Sequence, residues 1–155
     1  RVPIMSEQDD MLSRIFSMQT ELNDYVFENN RLTGPDGRTL TMAAIFDAVN
    51  SGELGANQLP NQWLARYAKA MQDELHELDE ELLWKWWSRD DIDLQNIRVE
   101  LIDMLHFLVS AMICAGLTPE KVFDVYTQKH AVNIKRQDDG YSRAGKTEED
   151  NRKIT

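Results

Sequence analysis

Two pairs of carboxylates carry the first chemical signal in this sequence. Glu74 and Glu77 stand three residues apart, and after 22 intervening residues Glu100 and Asp103 repeat that spacing. On a helix, a three-residue step puts both members of a pair on one face. Between positions 73 and 103 there are 11 acids and 3 bases, a local balance of −8. No comparable group of Lys or Arg is at hand, and hard divalent cations such as Mg²⁺ take oxygen ligands of this kind. An E-x-x-E on a charged helix is by itself usually a solvated face. The second pair differs, because Val99–Ala115 is apolar at 13 of 17 positions. Its polar residues, Glu100, Asp103, His106 and Ser110, fall on one stripe at about 100° per residue. Ionised carboxylates are rarely buried without a cationic partner, since desolvation is costly for each ion. The spacing therefore predicts a metal site of Glu74, Glu77, Glu100 and Asp103 between two facing helices.

Other chemistries fit less well. Asp73-x-x-His76 and Asp103-x-x-His106 are faintly similar to the Glu-x-x-His pairs of di-iron bundles. Both carry Asp in place of Glu, and no inward glutamate pair appears on the first helix, so di-iron is set aside. His106 reads instead as a core histidine with a hydrogen-bond partner, and Cys114 as core. No P-loop, G-x-G-x-x-G or nucleophilic Ser or Cys context is present.

Five helical segments would position the acids. The first is expected from about Glu7 to Phe27, with Met11, Ile15, Met18, Leu22 and Val26 as its apolar stripe. A turn at Gly34–Gly37 follows, then a short helix after Thr41 that stops at Ser51-Gly52. The third is expected from an Asn61 cap to about Trp87, and the fourth from an Asp93 cap over Leu94–Ala115, closed by Gly116. Thr118-Pro119-Glu120 opens the fifth, which should reach about Arg136. The fourth helix, apolar almost all round, is expected to be central and buried. The short loops beside it suggest antiparallel neighbours. The fold class is thus an all-α antiparallel bundle, with a domain over 1–140 and a mobile polar tail over 141–155. From Lys129 to Lys153 there are seven Lys or Arg against five acids. A basic segment in an acidic protein suits a clamp over a phosphate chain whose other side is held by metal.

Composition narrows the function classes. The chain has 155 residues and 42% apolar content, enough for one domain. A net charge of −10 has the wrong sign for nonspecific binding to nucleic acid or to an anionic membrane surface. One cysteine forms no internal disulfide and points to a reducing, cytoplasmic setting. Arg1–Ile4 reads as a remnant before a native start at Met5, and the run into Glu7, Asp9 and Asp10 does not read as a signal peptide. Val99–Ala115 is short for a membrane span and carries Glu100, Asp103 and His106.

Taken in order, the motifs resemble a family. Glu74-x-x-Glu77 followed by Glu100-x-x-Asp103 is similar to the signature of the all-α NTP pyrophosphatases, the superfamily of MazG-like enzymes and dimeric dUTPases. Gln19-x-x-Leu22-Asn23 resembles the N-terminal Q-x-x-L-N motif of the dimeric dUTPases. Trp84-Lys85-Trp86-Trp87 resembles their W-K-x-W-K segment, with Ser88 in place of the second Lys. Glu100-Leu101-Ile102-Asp103-Met104-Leu105-His106-Phe107 follows E-L-x-D-x-x-H-F. Tyr126-x-x-Lys129-x-x-x-Asn133-x-x-Arg136-Gln137-x-x-Gly140-Tyr141 resembles the phosphate- and sugar-binding run. The stretch between Asn23 and Trp63 is longer than that pattern and is expected to form a lid or dimer element.

The resemblance implies hydrolysis of dUTP to dUMP and pyrophosphate by water attacking the α-phosphorus. It implies Mg²⁺ on Glu74, Glu77, Glu100 and Asp103, with either Glu74 or Glu77 as the base. Gln19 and Asn23 would read the uracil, and Trp84 or Trp87 would stack on it, although core packing is the ordinary role of any single Trp. Lys85, Lys129, Asn133 and Arg136 would meet the phosphates, and Tyr141 the sugar. A homodimer is implied as well. Two other readings remain open: a related pyrophosphatase acting on dCTP or another dNTP, and a non-catalytic acidic bundle that binds a protein.

Overall fold

A computed structural model describes residues 10–142, 144 and 147–155. The expected start at Met5, the expected helix start at Glu7 and the tail cations Arg143 and Lys146 lie outside the described residues. Six helices are seen among them: α1 (Met11–Asn29), α2 (Met42–Asn50), α3 (Leu59–Glu81), α4 (Leu94–Cys114), α5 (Pro119–Asp138) and α6 (Glu149–Arg152). The extended pairing described is one isolated antiparallel bridge, Thr33 with Thr39. The protein is all-α, as its periodicity predicts. No single described helix is long and apolar enough to cross a membrane.

Side-chain caps set most of the helix starts. The Asp10 carboxylate accepts from Ser13 N at 2.7 Å, Thr41 Oγ1 from Ala44 N at 3.1 Å, and Asp93 Oδ1 from Asn96 N at 3.0 Å. Each satisfies an N–H that the first turn leaves unpaired. Thr118 does the same for α5, with Pro119 at its first position. The third helix departs from expectation at both ends. It opens at Leu59-Pro60, and Asn61 lies inside its first turn, donating back to the Ala56 carbonyl at 2.9 Å. It ends at Glu81, with Leu82 extended at ψ 135. Asp79, Glu80 and Glu81 place negative charge at the negative end of the helix dipole, and three tryptophans of modest helix propensity follow. Trp84–Trp87 is therefore not helical. α4 closes where Gly116 takes φ +78, a position where a Cβ would come within 3.0 Å of Asn50 Oδ1.

The chain divides into two compact units at Gly116, and the described tail residues belong with α5 in the second. In the first unit α3 and α4 form the most extensive pairing, with α2 against both and α1 against α4. Tyr67 faces Phe107 with ring centroids 6.4 Å apart, while Glu77, later on α3, meets Glu100, earlier on α4. The two helices are thus antiparallel. The core holds Phe16, Phe27, Leu40, Met42, Ile45, Tyr67, Val109 and Cys114. Leu40, Met42 and Ile45 come from the stretch expected to be a lid or dimer element, and their burial makes it core. The Met42 amide donates to Asp24 Oδ1 at 2.8 Å, which ties the start of α2 to α1. Burial pushes the Cys114 thiol up to about 12, consistent with an inert core residue.

Two helices turn out differently from their periodicity. The apolar stripe of α1 faces outward, Met18 being 65% exposed, and the buried residues are Ser13, Phe16, Gln19, Asn23 and Phe27. On α4 burial is confined to the C-terminal end, Val109–Ala111, Ile113 and Cys114, while Leu101, Ile102, Leu105 and Leu108 are exposed. The cause is the same in both: the helices meet through their polar stripes. His106 accordingly is exposed rather than core, although it has its hydrogen-bond partner.

In the second unit the tail is tied to α5. The Arg136 guanidinium pairs with Asp150 at 3.2 Å, Lys129 donates to Asn151 Oδ1, and the Gln128 amide joins the backbone of Thr155.

Candidate active site

Antiparallel pairing of α3 and α4 brings Glu74, Glu77 and Glu100 together, one carboxylate oxygen from each lying within 4.8 Å of the others. Asp103 stands outside this tight trio, but its charge acts on both α3 carboxylates and it shares a pocket with Glu74. Asn96 Nδ2 donates to Glu100 Oε1 at 3.3 Å. The other oxygens, Oε2 of Glu74 and of Glu100, are buried with no hydrogen-bond partner. Among the described residues no Lys or Arg forms an ion pair with any of the four acids. Orphaned, hard, negatively charged oxygens at this separation fit a divalent ion such as Mg²⁺.

The electrostatics carry the same strain. Desolvation first, then the charges of Glu77, Asp103, Glu100 and Asp73, raise the Glu74 carboxyl above its ordinary range. Glu77 is raised by desolvation, by Glu100, Asp73 and Asp103, and by a hydrogen bond with Glu100. A carboxyl raised on folding penalises the folded state only once it ionises. The penalty is absent below the unfolded value of about 4.3, sets in as pH rises past it, and is complete above the raised folded value. The melting temperature of the metal-free protein should therefore fall by this penalty as pH rises past about 4.3, and saturating Mg²⁺ should offset the fall. A metal-free profile that Mg²⁺ leaves unaltered, read by calorimetry across that range, would contradict the site.

Next to the trio lies a pocket of about 540 Å³, within the usual range for small-molecule sites. Gln19 and Asn23 of α1 stand in its wall together with Glu74, Asp103 and His106. Trp63, Tyr67 and Phe107 supply an aromatic side, with Phe27–Trp63 centroids at 4.8 Å and Trp63–Tyr67 at 5.7 Å. Such rings can stack on a planar base and exclude water. These three aromatics were not among the candidates read from the sequence, yet a signal existed. Trp63, Tyr67 and Glu74 follow one helical stripe, and Phe107 lies four residues after Asp103.

The remaining candidates lie elsewhere. Trp84, Lys85 and Trp87 occupy the stretch between α3 and α4 and are exposed, with Lys85 Nζ 5.3 Å from the Trp84 ring centre. None of the three lines the pocket. Lys129, Asn133 and Arg136 are on α5. Arg136 and Tyr141 line a smaller pocket of about 240 Å³ within the second unit, where the Asp150 carboxylate sits on the guanidinium.

Comparison with known proteins fits this geometry. The chain is 30% identical over 93 residues to a dCTP pyrophosphatase of Enterobacteria phage T4, covering 60% of this chain and 48% of the relative. A dCTP pyrophosphatase of Enterobacteria phage LZ5 is 31% identical over the same shares. A DNA replication protein of phage T4 is 28% identical over 92 residues, 58% of this chain and 21% of the relative. The chain thus spans about half the length of the two pyrophosphatases it matches. No solved structure matches it. The dUTPase family model matches residues 11–121, a span that contains the carboxylate trio, Asp103, the amide pair and the whole pocket between them. The chain belongs to the dimeric dUTPase family.

Proposed function

We propose that the protein hydrolyses dUTP to dUMP and pyrophosphate, with Mg²⁺ held by Glu74, Glu77, Glu100 and Asp103. One observation carries this reading: a single pocket joins a pair of side-chain amides to Glu74, whose buried Oε2 lacks a hydrogen-bond partner and which belongs to the carboxylate trio. Bound there, Mg²⁺ would supply the positive charge that lets a triphosphate approach an acidic site. Water attacks the α-phosphorus, the bond from phosphorus to the bridging oxygen breaks, and pyrophosphate leaves with that oxygen. Glu74 or Glu77 takes the proton from the water. The aromatic side holds the base and keeps bulk water out. The family resemblance alone assigns Lys85, Lys129, Asn133 and Arg136 to the phosphates, Tyr141 to the sugar and Trp84 or Trp87 to stacking, and none of them lines the pocket.

Exposed apolar side chains on α1 and α4, among them Met11, Met18, Leu101 and Ile102, support a homodimer, since nothing among the described residues covers them. Replacing Arg136 with Ala should lower kcat/KM about 10- to 100-fold, the worth of a charge-assisted contact, while helicity by circular dichroism is kept. Unchanged kinetics would remove Arg136 from the site.

The named activity of the phage relatives favours a second substrate, dCTP. Pyrophosphate release from each dNTP, with and without Mg²⁺, separates the readings. The expected result is release from dUTP first, and only with Mg²⁺. A lead for dCTP establishes the second reading. No release from any dNTP, with no Mg²⁺-dependent thermal shift, leaves an acidic bundle that binds a protein.

A further inference from the structure

Four polar side chains behind the base end of the pocket form a closed circuit. Ser110 Oγ donates to the backbone carbonyl of His106 at 2.8 Å, and Asn23 Nδ2 donates to Ser110 Oγ at 2.9 Å. Gln19 Nε2 donates to Asn23 Oδ1 at 2.8 Å, and Gln19 Oε1 lies 2.5 Å from His106 Nδ1. The direction of every link follows from the first. A hydroxyl has one proton, and a backbone carbonyl can only accept. With its proton committed there, Ser110 must accept from Asn23, which turns the Asn23 carbonyl toward Gln19. Gln19 answers with its NH₂ and presents its own carbonyl to His106, whose proton is then on Nδ1. The circuit begins and ends on His106. Ser110 itself is 0% exposed and does not line the pocket, whereas Gln19, Asn23 and His106 do.

We propose that Ser110 is a positioning residue that sets the donor–acceptor polarity with which Gln19 and Asn23 meet the base. The inference rests on the pyrimidine reading of the pocket given above. Uracil offers an acceptor at O4 and a donor at N3, and cytosine offers the reverse. An amide turned end for end exchanges its donor for its acceptor, so amide orientation is a choice between the two bases. Neither amide can turn while Ser110 is locked onto the helix carbonyl, because two donors or two acceptors would then face each other. Without that hydroxyl the amides and the His106 tautomer can reverse as a unit. Selectivity is held by a side chain that the substrate never reaches.

The test is Ser110→Ala, with Ser110→Cys as a second variant that keeps the volume but offers only a weak donor and acceptor. In both, the ratio of kcat/KM for dUTP over dCTP should move toward unity, by about tenfold or more for Ala, while the Mg²⁺ dependence stays as in the wild type. Nitrogen NMR of the histidine side chains under alkaline conditions should show His106 as the Nδ1–H tautomer in the wild type. In the variants it should be a mixture with Nε2–H. An unchanged ratio, or equal losses on both nucleotides, with an unchanged His106 tautomer overturns the proposal. Pyrophosphate release from a wild type that does not distinguish dUTP from dCTP also overturns it, and leaves Mg²⁺-dependent hydrolysis standing. If no dNTP is hydrolysed, the proposed function fails, and an unchanged tautomer in the variants then overturns the role of Ser110 as well.

Discussion

Replacing Glu74 or Glu100 with Gln is expected to reduce turnover at least about 100-fold and to raise the melting temperature of the metal-free protein. The two effects have one cause. Three carboxylate oxygens lie within 4.8 Å of one another, and one oxygen each of Glu74 and Glu100 is buried without a hydrogen-bond partner. Gln preserves the volume, removes one charge, and supplies an NH₂ group that can donate to a neighbouring carboxylate. The charge repulsion that adds to desolvation in raising the Glu74 and Glu77 carboxyls is thereby relieved for those that remain. The same exchange removes an anionic ligand from any divalent ion bound there, so Mg²⁺ should no longer protect the variant against heat. A stabilised but inactive protein is the signature of residues kept for chemistry at the expense of the fold. Calorimetry with and without Mg²⁺, beside pyrophosphate release, reads both effects. A variant with near-normal activity would remove its residue from the metal site. A variant that melts well below the wild type would make the carboxylates structural.

The acids were legible in the sequence because their geometry is local. Glu74 and Glu77 share a face whatever surrounds them, as do Glu100 and Asp103, and their meeting needs only an antiparallel hairpin of α3 and α4. The inward face of α1 was not legible by the same logic. Periodicity assigns Met11, Ile15, Met18, Leu22 and Val26 to the core, yet Met18 is 65% exposed and Gln19 and Asn23 are buried. Burying two amides is tolerable only where every donor and acceptor is met, and the partners that meet them, Ser110 and His106, lie 87 residues away. No local pattern carries that information. The family resemblance singled out Gln19 and Asn23 by position, but not the reason they face inward. The tryptophans show a different limit. Residue type alone does not tell Trp63, four residues before Tyr67 on the pocket stripe, from Trp84 and Trp87 past the acidic end of α3. That distinction depends on where the helix stops.

Asn23→Ala should produce the largest change in substrate selectivity, and its reasoning is independent of the metal. Asn23 is 7% exposed and holds the middle of the hydrogen-bond circuit. Its loss leaves Gln19 Nε2 without an acceptor and Ser110 Oγ without a donor, costing about 1–3 kcal/mol of stability. The substrate loses more than one contact, because Gln19 is then free to turn and no longer offers a fixed edge. Together these should lower kcat/KM for the preferred nucleotide about 100-fold or more. The other pyrimidine, whose edge was already opposed, should lose much less, so the ratio between dUTP and dCTP narrows. The dependence of rate on Mg²⁺ concentration should stay where it is, since α1 contributes none of the four carboxylates. Steady-state kinetics on both nucleotides across a Mg²⁺ series tests all three statements at once. If Asn23→Ala leaves the ratio unchanged while both rates fall together, α1 supports the pocket without reading the base. If the Mg²⁺ requirement shifts in parallel, the amide end and the acidic end are one coupled structure, and base recognition is not separate from metal chemistry.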